Sequence, residues 1–397
     1  MAQKPKTKKT SKPTKQVKPI NAPKILVFAI PIVCLFFVAL VCICNWYECS
    51  SRMFTYPKQI APYLYEMTFT DYVYDAEMIT GDDVEVFGCS SVRNGNFYGR
   101  NFDYFYNDTP EFIVHVDATE DRHASVGVAI HNGLREVNLL RGEYHDQLSL
   151  IPNLTLDGIN DAGVIASINV VPGEGDTGAL TGTNPSGEDL HAAYVVRYIL
   201  DNADSADEAV ELLRGRNIYG SAVDGMYLHV MIADEDKTYV VEYLDNQLVA
   251  EEKTGDQQIM TNFYTNLPAL TENAAGVERY QILQENYAQG DSMVGMRDLL
   301  ARVKYSNAYA YSTDPLWMSE MIPQSMIQAN DPTVMAIFAE KLDNVRKDYW
   351  NAVNNDRRAP ANTSFWQTTH NSVYDIAEKK LRVTVQEDYT HYYDFSI

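Results

Sequence analysis

A lone cysteine, Cys89, opens the stretch Cys-Ser-Ser-Val-Arg-Asn-Gly-Asn-Phe-Tyr-Gly-Arg-Asn-Phe-Asp over residues 89–103. A thiolate is the nucleophilic form of cysteine, and cations close by lower the pKa of the thiol. Val92-Arg93, Asn94-Gly95 and Asn96-Phe97 predict a type I′ hairpin turning at Asn94-Gly95, because both turn residues accept positive φ. Such a turn sets Arg100 and Asp103, a guanidinium and a carboxylate, one hairpin away from the thiol. If the chain is cut between Gly88 and Cys89, the thiol gains its own α-amino group as a base. Nucleophile and base then sit on one residue.

No Gly-x-Ser-x-Gly, P-loop or strand-following Rossmann glycine pattern occurs, and no cofactor is implied. The eight histidines are scattered and make no His-x-x-x-His pair of the metal-binding kind. His115, His123, His131 and His229 lie in or beside expected strands and read as structural. His370-Asn371 is an adjacent His-Asn pair, which keeps a Cys-His-Asn protease open. Of the five cysteines, Cys34, Cys42 and Cys44 lie in an apolar run, Cys49 lies just past it, and Cys89 stands alone. An exported body with one thiol has no disulfide framework. Cys89 is therefore either an inert buried residue or a reactive one.

That apolar run, residues 25–44, is uncharged and interrupted only by Pro31. A bilayer core needs roughly 20 helical residues. Eight lysines precede the run and Asn45-Trp46-Tyr47 follows it, the order expected for a signal anchor with its lysines in the cytoplasm. A cleaved signal peptide is the alternative, but the run is long and lacks an Ala-x-Ala-like site. A lipobox at Cys42 or Cys44 is weakened by the bulky Val41 or Ile43 before each. The formal charge of the 397 residues is −22. With the N-terminal lysines set apart, the rest carries about −30, a field that repels nucleic acid.

The expected organisation is a basic disordered tail over 1–23, a transmembrane anchor over 24–44, a pro-segment or linker over 45–88 that packs on the domain, and one domain over 89–397. Residues 81–83 predict a turn and 84–87 a strand. Strands are expected over 112–116, 124–131, 164–171, 227–233, 238–244, 247–251 and 258–261, with a closing hairpin over 372–376 and 381–385. Residues 157–163 read as a polar turn. Helices are expected over 190–200, from the capping box at Ser205 through Leu213, and over 296–303 and 332–353. Runs of strands alternating with runs of helices fit antiparallel sheets covered by helices better than a parallel sheet.

Cys89-Ser-Ser-Val with Gly99-Arg100-Asn101-Phe102-Asp103 resembles the start of the linear amide C–N hydrolases, which include choloylglycine hydrolases, penicillin V acylases and the acid ceramidase and N-acylethanolamine amidase group. The resemblance continues through Asp157-Gly-Ile-Asn-Asp-Ala-Gly163 with Asn169, Thr261-Asn262, Glu278-Arg279-Tyr280 and Ser372-Val-Tyr-Asp375. It implies an α+β fold, the four-layer αββα sandwich of N-terminal nucleophile hydrolases, here preceded by a single transmembrane helix. The sequence departs from the family in a shorter hairpin and in a nucleophile that lies 88 residues in.

On this resemblance the catalytic residues are Cys89, Arg100, Asp103, Asn169, Asn262 and Arg279, and processing falls at Gly88-Cys89. Arg100 and Arg279 supply the positive field, Asp103 holds the amine of Cys89, and Asn262 with Asn169 donates to the oxyanion. The bland reading makes Arg100 and Asp103 a surface pair and Asn262 a strand cap. The implied substrate is a small-molecule acyl amide, and a homo-oligomer stays open. An acyltransferase on the same fold and a catalytically dead surface binding module are the alternatives. Trp317, Trp350 and Trp366 suit either an acyl pocket or the core.

Overall fold

The chain is already sheet upstream of Cys89. β1 (Lys58–Ala61) and β2 (Leu64–Phe69) form an antiparallel hairpin whose turn holds Tyr63 at φ 63°, and β2 then runs parallel to β5 (Glu111–Val116). β3 (Gly88–Asn94) and β4 (Phe97–Tyr104) are the hairpin that carries Cys89. In the other sheet, β5 pairs antiparallel with β6 (Ser125–Ile130), which is followed by β7 (Thr155–Asn160) and β8 (Ile165–Pro172), each antiparallel to the one before. A short parallel pair, β9 (Glu188–His191) and β10 (Arg216–Tyr219), flanks helices α1 (Val195–Asn202) and α2 (Ala206–Arg214). β11 (Met226–Ala233), β12 (Thr238–Leu244) and β13 (Gln247–Glu252) form a meander, and β14 (Ile259–Met260) follows. After α3 (Val277–Glu285) and α4 (Met293–Ala301) come β15 (Gln367–Asp375), β16 (Lys380–Val385) and β17 (Tyr393–Ser396).

In this computed structural model the described residues are 53–72, 74, 88–104, 109–131, 134, 139, 145–172, 187–219, 226–244, 247–266, 276–304 and 367–397. Among them the strands make a nine-stranded sheet in the order β1-β2-β5-β6-β7-β8-β11-β12-β13 and a six-stranded sheet in the order β14-β3-β4-β15-β16-β17. Ile113, Val126, Ile159, Ile165 and Met231 from the first sheet pack against Tyr98, Met260, Tyr374 and Val383 from the second. Val195, Ile199, Leu200, Val210 and Leu213 of α1 and α2 cover the outer face of the first sheet. Leu283, Met296, Leu299 and Leu300 of α3 and α4 cover Val92 and Val373 on the outer face of the second. The result is the αββα order expected from the sequence. Apolar spacing produces it: α2 buries Ala206, Ala209, Val210 and Leu213 on one stripe. Ser205 caps that helix by accepting from the Glu208 N–H.

Two glycines allow the layers to approach. A Cβ at Gly99 on β4 would stand 2.6 Å from Leu300 Cδ1. A Cβ at Gly158 on β7 would stand 2.6 Å from Leu200 Cδ1. Alternation then decides the Asp157-Gly158 dipeptide: the glycine lies under α1 and the aspartate faces the other sheet.

Four expectations change. The β3–β4 loop is Gly95-Asn96, with Asn94 paired to Phe97, and the only positive φ is that of Gly95 at 58°. A positive φ at the first centre alone fits a type II′ turn and not type I′. Asn94 is held in the strand because its Nδ2 donates to the Tyr287 carbonyl at 2.9 Å. Residues 157–160 are buried strand, and the turn is confined to the residues after Asn160. Leu190 belongs to β9, so the helix starts at Val195. β1, β2, β17 and α3 are elements the pattern did not reveal. Among the described residues no helix is long and apolar enough to cross a membrane. The expected tail, anchor, 81–87 turn and strand, 332–353 helix and all three of Trp317, Trp350 and Trp366 lie outside the described residues.

Candidate active site

Cys89 lies in β3 between the two sheets and is fully buried. Residues directly opposite on antiparallel strands share a face, and Cys89 pairs with Phe102. Arg100, two residues before Phe102, therefore shares the face of Cys89, whereas Asp103 takes the opposite one. The hydrogen bonds follow this division. Arg100 Nη2 donates to Cys89 Sγ at 3.2 Å and to the Ile168 carbonyl at 2.8 Å, and its Nη1 meets Asp157 Oδ2 at 2.8 Å. Asp103 accepts from Thr368 Oγ1 at 2.6 Å and pairs with Arg279 Nη1 at 3.4 Å. Both Arg100 and Asp103 are fully buried, which removes the surface-pair reading.

The backbone of Cys89 is addressed as closely as its sulfur. Its N–H donates to Asn262 Oδ1 at 3.1 Å, and its carbonyl accepts from Arg279 Nη1 at 2.8 Å. Arg279 Nη2 also donates to Asn262 Oδ1 at 2.6 Å, so one guanidinium orders Asn262, Ser90, Asp103 and Cys89 together. Asn262 lies two residues past β14, and α3 brings in Arg279 just after Gly276, whose φ is 79°. A Cβ at Gly276 would stand 2.9 Å from Thr261 Oγ1, so a glycine is needed where α3 begins against that strand end.

Asn262 Nδ2 donates to the Val170 carbonyl at 2.8 Å. Asn169 is fully engaged: Nδ2 donates to the carbonyls of Met260 and Thr261 at 3.1 and 3.2 Å, and Oδ1 accepts from Ser91 Oγ at 3.2 Å. Its side chain ties β8 to β14 and β3, so in this state it is aimed at neighbouring strands and not at a reacting oxygen. Asp103 stands across the ladder from Gly88, the residue before Cys89.

Three groups that sequence reasoning did not assign to the site complete it. Asp157 collects Arg100, Ser372 Oγ at 2.6 Å, Tyr374 Oη at 2.5 Å and His370 Nε2 at 3.3 Å. His370 Nδ1 meets Glu111 Oε2 at 2.9 Å. Both nitrogens of His370 are taken by carboxylates, so it cannot serve Cys89 as a base, and the Cys-His-Asn reading of His370-Asn371 falls. His229, expected to be structural, meets buried Glu242 at 3.2 Å and the Thr261 carbonyl at 2.8 Å, next to Asn262. Glu242 in turn accepts from the N–H groups of Thr265 and Asn266, fixing the turn that follows.

Burial pushes the Cys89 thiol up to about 11, with Arg100 and Arg279 opposing the rise and Asp103 adding to it. Burial likewise raises Asp103, against the pull of Arg279 and Thr368. At Asp157 burial is outweighed by the His370 hydrogen bond and the Arg100 charge, which hold the carboxyl well below its usual range. Burial also opposes charge on His370, but the Glu111 carboxylate and the Asp157 bond prevail and push it up to about 9. With Gly88 still attached, the thiol is thus protonated at neutral pH and enclosed.

A family model described as acyl-coenzyme A:6-aminopenicillanic acid acyl-transferase matches residues 91–389. No curated protein matches the chain. Two solved variants of the conjugated bile acid hydrolase from Clostridium perfringens are each 13% identical, covering 78% of this chain and 92% of theirs at a TM-score of 0.40. The penicillin V acylase from Agrobacterium tumefaciens is 18% identical, covering 75% and 83% at a TM-score of 0.37.

Proposed function

The chain belongs to the acyl-coenzyme A:6-aminopenicillanic acid acyl-transferase family, and from that premise we propose that it is a self-processing cysteine amidase that hydrolyses a linear acyl amide outside the cytoplasm. The membership supports acyl chemistry on amide or amine groups and bears out the resemblance read from the sequence. The observation that carries the finer reading is the enclosure of Cys89: sulfur, amide nitrogen and carbonyl each have a dedicated partner in Arg100, Asn262 and Arg279.

Cleavage at Gly88-Cys89 turns the Cys89 amide nitrogen into an amine, already positioned by Asn262 Oδ1. That amine, with an ordinary pKa near 8, takes the thiol proton. The thiolate attacks the acyl carbonyl, the C–N bond breaks, and the proton passes to the departing amine, leaving a thioester on Cys89. Water then attacks the thioester, releasing the acid and restoring the thiol. Asn262 Nδ2, once turned from the Val170 carbonyl, is the donor for the oxyanion. The apolar run within residues 24–44 anchors the precursor, with the catalytic body on the far side of the membrane.

Acyl transfer to an amine in place of water is the second reading, favoured by the description of the matched family. Intact-mass and N-terminal analysis of purified protein, followed by a panel of acyl amides with and without added amine, tests both. The expected result is a new N-terminus at Cys89, amide hydrolysis without added amine, and a full-length, inactive Cys89→Ala. Product formed only with added amine selects transfer. Activity in a chain whose Gly88-Cys89 bond is intact overturns the N-terminal nucleophile mechanism.

A further inference from the structure

We propose that Glu111 and His370 are positioning residues for the nucleophile: through Asp157 they hold the Arg100 guanidinium against Cys89 Sγ. The inference rests on the reading of Cys89 as nucleophile. It starts from a continuous row of buried groups of alternating charge drawn from four strands. Glu111 on β5, His370 on β15, Asp157 on β7 and Arg100 on β4 follow one another at 2.9, 3.3 and 2.8 Å, and the row ends on Sγ at 3.2 Å. All four side chains are buried. Because each ring nitrogen of His370 faces a carboxylate, only the imidazolium donates to both.

A local irregularity of β15 builds this row. Residues two apart on a regular strand face the same side. Here the register of β15 against β4 shifts between Thr368 and His370, so that Thr368 pairs with Asp103 while His370 pairs with Phe102. Asp103 and Phe102 face opposite sides of β4. The bulge therefore sends Thr368 to Asp103 on the α3 side and His370 to Asp157 between the sheets. Bulges commonly re-aim side chains in this way beside active sites. Beyond the shift, Ser372 and Tyr374 keep the facing of His370 and meet the same aspartate. Phe102 fills the angle, with its ring stacked on His370 at 5.2 Å and the Arg100 guanidinium 5.0 Å from its centre.

The consequence for chemistry lies in how Asp157 is shared. Its Oδ2 meets both Arg100 and His370, so its charge is divided between two cations. Without the imidazolium, Arg100 is the sole cation on Asp157, and less of its field reaches the sulfur. The carboxylate also loses one of the contacts that orient it. The groups around His370 are Glu111, Asp157, the Phe102 ring, the Asp103 charge and, across Asp157, Arg100, which is the one cation among them.

The test uses His370→Gln and, to keep the buried charge balanced, the double variant Glu111→Gln with His370→Gln. In the processed protein, the pH midpoint of Cys89 alkylation by iodoacetamide is read from the mass of the Cys89 peptide below pH 9, where His370 is still protonated in the wild type. The expected result is a midpoint about one unit higher in either folded variant. At neutral pH alkylation should slow about three- to fourfold, because the tenfold loss of thiolate is partly offset by a more nucleophilic sulfur. The kcat for amide hydrolysis should fall with KM unmoved. An unchanged midpoint in a folded variant overturns the proposal, even if melting is lowered. A shifted midpoint in a protein that hydrolyses no amide would leave the positioning standing and remove the amidase reading.

Discussion

Cutting the chain ahead of Cys89 should not release the segment upstream of the cut. β2 contributes a full strand to the nine-stranded sheet, paired along its length with β5. Leu64, Tyr65, Met67 and Phe69 are all essentially inaccessible to solvent. Beyond β2, the hydroxyls of Tyr72 and Tyr74 both donate to Asp201 at the end of α1, which Arg197 also pairs at 2.9 Å. Phe69 is the informative residue to change. It packs 5.3 Å from Phe54 within the cluster that joins this segment to Phe112, Val114 and Ile151. Truncating a buried Phe to Ala costs about 3–5 kcal/mol. In a cut chain that cost weakens fragment binding by roughly 10² to 10³-fold or more, at about 1.4 kcal/mol per factor of ten. A protease site engineered within residues 75–87 makes the test independent of self-cleavage. Native size exclusion followed by intact mass should find both pieces together in the cut wild type and separated in Phe69→Ala at micromolar concentration. Loss of the fragment from the cut wild type under native conditions would refute the reasoning, and so would equally firm retention by Phe69→Ala.

Other outcomes follow from the same geometry. Asn262→Ala should lower kcat for amide hydrolysis by about 10²–10³, the usual cost of losing one oxyanion donor, in a stopped assay on the best amide. Arg279→Lys cannot span Cys89, Asn262 and Asp103 with one planar group, so a drop of at least tenfold in kcat/KM is expected with the charge unchanged. The His370 pKa is raised from its ordinary value to about 9, so its stabilisation is complete below about pH 6.5 and is lost as pH rises through 9. The shift corresponds to a loss on the order of 3 kcal/mol. Thermal melting should therefore fall between pH 7 and 9.5, and much less so in the double variant lacking Glu111 and His370. The depressed Asp157 acts at the other end: its contribution is complete above the usual carboxylate range and is lost as pH falls below that range, through the depressed folded value. His229→Gln should leave α1 and α2 intact and loosen the Asn262 turn, seen as faster amide exchange at Thr265 and Asn266.

Cys89, Arg100, Asp103, Asn262 and Arg279 were legible through the family resemblance of their types and order, and the fold gathers them: Arg100 meets the Cys89 sulfur, while Arg279 joins the Cys89 carbonyl, Asp103 and Asn262. The errors have local physical causes. Asn-Gly is the strongest two-residue hairpin signal, but here the side chain of Asn94 is committed to the Tyr287 carbonyl, and the loop moves one residue on. Asp157-Gly-Ile-Asn160 has the composition of a turn. It is a strand because its polar groups find partners remote in sequence: Asp157 at Arg100 and Ser372, and Asn160 at the carbonyls of Leu200 and Ala203. Propensity favours a turn only while such groups lack buried partners, and those partners exist only after the sheets meet.

His370 shows most clearly what one-dimensional reading misses. Beside Asn371 it looks like the base of a cysteine protease, since neither residue carries a mark of what it will face. The deciding event is a one-residue shift in β15, invisible in composition and periodicity alike, which turns His370 inward while Thr368 turns outward. Once turned, the histidine lies between two buried carboxylates, where its proton is held too firmly to be lent to Cys89. On the proposed mechanism the thiol finds its base in its own nitrogen, now an amide hydrogen-bonded to Asn262. On that mechanism the site is complete only when the amide becomes an amine. An intact Gly88-Cys89 bond and amide hydrolysis should therefore exclude each other, which N-terminal analysis of the active protein checks.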